Sequence, residues 1–155
     1  MENYTQHAAL PDNLKNDKNK LMLSYEYCEK VVKESGTNFY YGMKLTPGAK
    51  QKAVLAIYAW MREVDDIADS DIAQKKRQRQ LIEFFKKTKA VLNNKVAKVD
   101  LDGFWLAFEE SVKKYNIPLC YFREMVLGQL QVVHRHPIRS LQDLYRYCYR
   151  VASTV

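Results

Sequence analysis

Tyr58-Ala-Trp-Met-Arg-Glu-Val-Asp-Asp-Ile-Ala-Asp69 decides how this chain is read. Residues three and four apart stack on one face of a helix. Tyr58, Arg62, Asp65 and Asp69 therefore form one polar stripe. Val54, Ile57, Met61, Val64 and Ala68 form a second, with the alternating three- and four-residue steps of a core-facing helix. The stripes are offset by one residue, about 100° of helix, so the carboxylates edge the core. Unpaired charge is costly to desolvate there. Arg62 is one candidate partner for the carboxylates; a divalent cation is the other.

The flanking segments read as further helices. Thr46-Pro47-Gly48 is an N-cap with Pro at the first helical position, so the central helix spans about Pro47 to Asp69. Upstream, Leu21 to about Glu34 forms a helix with Tyr25, Cys28 and Val31 or Val32 inward, Ser24 as a local cap and Ser35-Gly36 as its stop. Residues 1–19 are polar and aperiodic and read as a disordered arm, leaving 20–155 as the folded domain. Downstream, the patterns predict helices over Gln74–Asn93, Asp100–Tyr115 with Asp100 as cap, Asn116–Val133, and Ser140 to the end. Ser140-Leu-Gln-Asp143 resembles a capping box. Tyr145, Tyr147 and Tyr149 are expected in the core or a cavity wall, and Cys148 as a small buried hydrophobe. The expected class is all-α.

At 155 residues the chain is one domain by length. No apolar run approaches the ~20 residues of a bilayer span. Three widely spaced cysteines fit neither a disulfide framework nor a zinc site and point to a cytoplasmic location. The net charge of +7 is local: residues 74–98 hold nine basic side chains and one acidic, a balance of +8 that leaves −1 elsewhere. Such a run is a solvated helix face or a patch for phosphates, nucleic acid or anionic lipid, which would make the protein peripheral at a membrane. His134-Arg-His136 reads as surface rather than metal site, and no serine has a partnered base.

Asp65, Asp66 and Asp69 carry the strongest chemical signal. Two carboxylates one turn apart can share Mg²⁺, which takes one or two carboxylates and fills its shell with substrate phosphate oxygens and water. The same spacing is common on solvated helix faces. Gly36, Thr37 and Asn38 offer donors that can hold an oxyanion, or make an ordinary cap and turn, in a polar loop over Ser35–Tyr41.

Three blocks, Tyr25-Glu-Tyr-Cys28, Ser35-Gly-Thr-Asn-Phe-Tyr-Tyr-Gly-Met-Lys-Leu45 and Ala56 to Asp69, together with the ending Tyr145-Arg-Tyr-Cys-Tyr-Arg-Val-Ala-Ser-Thr-Val155, resemble the squalene/phytoene synthase family of head-to-head prenyl synthases. The resemblance covers most of residues 21–155. It implies an isoprenoid-synthase-type helical bundle around a deep apolar cavity, joining two farnesyl or geranylgeranyl diphosphates through a cyclopropyl diphosphate. It implies Mg²⁺ on Asp65 and Asp69, with Asp66 beside them, and NADPH where the product is reduced squalene. Arg62, Thr37 and Asn38 would face diphosphate. Phe39 and Tyr58 would line the cavity, Tyr147 would stand near the reacting diphosphate, and Val151, Ala152 and Val155 would flank the prenyl chain.

The sequence departs from the family in two places. Val132, Pro137 and Ile138 stand where the family has an acidic residue and an Arg-Tyr pair, and there is no second Asp-rich motif. These imply the N-terminal portion of a synthase, completed by a C-terminal segment or by self-association. Two other readings compete: a prenyl-diphosphate-binding or assembly module without turnover, and a nucleic-acid binder using residues 74–98. The last predicts steep salt dependence and indifference to Mg²⁺.

Overall fold

The computed structural model describes residues 12–153 apart from 36, 98, 99, 135 and 136, with side chains from residue 16 onward except at 37, 39, 49 and 153. Among the described residues there is no strand. The helices are α1 (Asp12–Ser35), α2 (Thr37–Lys44), α3 (Gly48–Asp69), α4 (Gln74–Leu92), α5 (Trp105–Lys114), α6 (Leu119–Val133) and α7 (Leu141–Cys148), followed by a π turn, Tyr149–Ser153. The expected all-α bundle is what forms. None of these helices is long and apolar enough to cross a membrane.

α3 is the axis, packed against α1, α2, α4, α5 and α6. Its centre is Trp60, fully buried, with the rings of Phe84, Phe108 and Phe122 at 5.6, 5.7 and 4.9 Å. The indole N–H donates to Thr88 Oγ1 at 3.0 Å, which explains a buried threonine on α4. The expected inward stripe of α3 holds at Val64 and Ala68. Nearer the N-terminus it is turned: Ala56, Ala59 and Trp60 are buried, while Val54 is exposed and Ile57 and Met61 are half-buried. Spacing alone cannot say which of two adjacent apolar lines holds the larger side chain, and Trp60 draws the core to itself.

Several boundaries move. α1 begins at Asp12, ahead of the expected start at Leu21, so residues 12–20 are helical; residues 1–11 lie outside the described part. Buried Ser24, Cys28 and Val32 anchor α1, and a nucleated helix extends through polar residues at little cost. The expected loop at 35–41 is mostly α2, held to α1 because Tyr40 Oη and Lys44 Nζ both donate to Glu29, at 3.0 and 2.5 Å. Gly36, the expected stop, is not described. α3 begins one residue after Pro47, with no side-chain cap from Thr46.

α5 begins at Trp105, not Asp100, and Ser24 is the reason. Its hydroxyl donates to Gly103 O at 2.7 Å and accepts from Ala107 N at 3.0 Å. Ser24 thus caps α5 rather than its own helix, satisfying an N–H that the first turn leaves without a partner.

At the other end the capping box forms: Asp143 N donates to Ser140 Oγ, and Ser140 N to Asp143 Oδ2, both at 3.1 Å. α7 has no buried residue; Leu141, Leu144, Tyr145, Cys148 and Tyr149 are exposed, contrary to the expectation for the two tyrosines and the cysteine. The last helix is also not α throughout, because it widens into the π turn at Tyr149.

Candidate functional site

α3 and α6 lie side by side and run the same way. At one end Trp60 meets Phe122, and Val54, Ile57, Tyr58, Tyr121 and Phe122, with Met43 and Ile117, line an open apolar cleft of about 270 Å³. Two helical turns on, Gln129 Nε2 of α6 donates to Asp65 Oδ1 of α3 at 2.5 Å. Met125 and Val126 of α6 are buried in between. The carboxylate and the cleft thus share one interhelical seam.

Asp65 is half-buried, and its carboxyl is held above the usual carboxylate range. Burial is the main cause and the nearby Asp69 the second; Arg62 and the Gln129 hydrogen bond oppose them. Asp69 is exposed at the end of α3. Asp66 points elsewhere: it is exposed and ion-paired with Arg62 at 2.7 Å, in a polar cleft with Tyr27, Glu34 and Glu63. Arg62 therefore makes its direct contact with Asp66, not with Asp65. Among the described residues no three His, Cys, Asp or Glu side chains converge as a metal cage.

The other expected residues are spread along this side of the bundle. Asn38 is exposed on α2 and Tyr58 half-buried on α3; the side chains of Thr37 and Phe39 are not described. Tyr147 is half-buried on α7. Val151 packs on the core where the π turn crosses α6, and a Cβ on Gly128 would meet Val151 Cγ1 at 2.7 Å. Gly128 is what permits that approach. Arg150 fastens the same crossing by donating to Glu124 at 3.1 Å. Ala152 is exposed, and Val155 lies outside the described residues.

Gln129 is the residue that pattern reading passed over. It was detectable as a polar interruption in the inward line Phe122, Met125, Gln129, Val133 of α6. Of the two histidines, His134 lies 3.4 Å from Gln74 Nε2, and His136 is not described.

The family model for squalene/phytoene synthase matches residues 32–155, from the last turn of α1 through Tyr147 and Val151. The chain belongs to the squalene/phytoene synthase family. It is 31% identical to the 15-cis-phytoene synthase of Synechococcus elongatus over 132 residues, 85% of this chain and 42% of that protein. It is 29% identical to the phytoene synthase of Arthrospira platensis over 133 residues, 85% of this chain and 41% of that one. Among solved structures, a dehydrosqualene synthase in complex with ligand superposes with a TM-score of 0.76 at 25% identity, covering 89% of this chain and 46% of that one. The isoprenoid-synthase fold is thereby established. The chain spans less than half the length of these family members.

Proposed function

We propose that this chain carries the first diphosphate-binding half of a site for Mg²⁺-dependent head-to-head condensation of two prenyl diphosphates of farnesyl or geranylgeranyl length, through a cyclopropyl diphosphate. One observation carries the reading. Asp65 is half-buried at the seam that also lines an apolar cleft, with its carboxyl pushed up by burial and by Asp69. A carboxylate in that state gains from a cation beside it, so the Asp65 and Asp69 pair fits Mg²⁺. With no third protein ligand among the described residues, diphosphate oxygens and water would complete the shell.

Bound Mg²⁺ would supply charge to offset the departing diphosphate. The chain's own residues do the rest. Asp65 and Asp69 hold the headgroup end of the seam. Arg62, one turn before Asp66 and now paired with it, can exchange that exposed ion pair for a diphosphate oxygen, since such a pair is worth only about 0–1 kcal/mol. Tyr58, Ile57 and Phe122 offer an apolar wall that excludes water, and aromatic faces favour the positive charge of an allylic cation.

A second reading, capture of the headgroup without turnover, draws on the lack of any group of three or more His, Cys, Asp or Glu side chains placed to hold a metal among the described residues. One experiment separates the two. The purified protein is incubated with Mg²⁺ and each prenyl diphosphate, and pyrophosphate release and lipid products are measured. A coupled product supports condensation; Mg²⁺-dependent binding without product supports capture. Binding that ignores Mg²⁺, survives Asp65→Ala and falls steeply with salt overturns both and favours the basic segment at 74–98 as a nucleic-acid surface.

A further inference from the structure

We infer that Gln129 is a positioning residue for the cation site, fixing one oxygen of Asp65 so that the other is presented beside Asp69; the inference rests on the magnesium–diphosphate reading above. Among the described residues the Gln129 amide is the one hydrogen-bond donor that reaches Asp65, at 2.5 Å. Its origin is rigid, because α6 is locked by buried Phe122, Met125, Val126 and Val133 on either side of it. The donor is neutral. An amide can orient a carboxylate without cancelling its charge, whereas the guanidinium on Asp66 neutralises its partner at 2.7 Å. The two neighbouring aspartates are thereby given different work. Asp66 is spent on Arg62, and Asp65 keeps both its charge and a fixed orientation. A group that orients a metal ligand from behind commonly changes metal affinity by about tenfold to a hundredfold when removed.

The test is calorimetric titration of the full chain with Mn²⁺ in the presence of inorganic pyrophosphate, alongside a thermal melt of each variant. Gln129→Met keeps the volume and removes the donor; Gln129→Asn keeps the amide but withdraws it by one methylene. Both are expected to bind Mn²⁺–pyrophosphate about ten to a hundred times more weakly, with melting temperatures close to that of the parent. Should the Met variant fail to fold, the Asn variant is read alone. Parental affinity in a folded variant overturns the inference, as does a loss of affinity that tracks a matching loss of melting temperature. If the parent itself binds no Mn²⁺–pyrophosphate, the functional reading falls and takes this one with it.

Discussion

Ser24 on α1 and Ala107 on α5 are joined by a buried hydrogen bond between residues 83 apart in the chain, and the same serine hydroxyl reaches Gly103 O. The contact settles where α5 begins and how it leans on α1. Ser24→Ala removes both bonds and leaves a buried N–H without a partner, which costs about 1–3 kcal/mol. The expected result in urea unfolding is a lower midpoint at an unchanged slope.

Asp65 makes the stability of the protein depend on pH in a particular direction. Its folded carboxyl is raised, so between the ordinary carboxylate value and the raised one the folded state holds the proton that the unfolded state has lost. Stability therefore falls as pH rises through that window and then levels off. In metal-free buffer at neutral pH, Asp65→Asn is expected to melt at a higher temperature than the parent. Adding Mg²⁺ and pyrophosphate should raise the parent's melting temperature and leave the variant's unchanged. Melts across a pH series with and without the metal check both statements.

Gly128 lies under the π turn with no room for a side chain: an added Cβ would sit 2.7 Å from Val151 and 3.0 Å from Arg150 Cβ. Gly128→Ala therefore displaces the crossing of the π turn over α6. Crowding of this kind costs about 1–3 kcal/mol. The expected signs are a lower melting temperature and faster proteolysis after Tyr147, with the seam at Trp60 and Phe122 still protected from hydrogen exchange.

The three thiols should behave differently. Cys28 is buried and its thiol is pushed up to about 12 by desolvation, while Cys120 and Cys148 are exposed. At about pH 8, alkylation of the folded protein should modify Cys120 and Cys148, with Cys28 reacting only after denaturant is added. Peptide mass mapping distinguishes the sites.

Much of this was readable from the residues. The bounds of α3 and α4 and the end of α6 followed from apolar spacing and its breaks, while α6 starts at Leu119 rather than Asn116; the capping box of α7 followed from four residues. Asp65 and Asp69 stood out because their spacing has a meaning on any helix. What escaped was set by partners distant in the chain. Ser24 looked like a cap for its own helix because its true acceptor and donor lie 79 and 83 residues away. Gln129 carried no local signal stronger than one polar residue in an apolar line. Residues 35–41 looked like a loop since nothing nearby told that Glu29 would hold both Tyr40 and Lys44. The inward face of α3 turns from Met61 toward Trp60, because periodicity counts apolar positions without weighing a tryptophan.

The π turn at Tyr149–Ser153 alters how the residues within it should be counted against α7. A residue's bearing on an α-helix is a matter of arithmetic, and four steps bring the pointer nearly home. In the wider coil each step sweeps a smaller angle, so Tyr147 and Val151 are no longer stacked by the usual rule. Any redesign that steers side chains past this point by regular helical phase would aim them off their mark, and the compass must be reset at Tyr149.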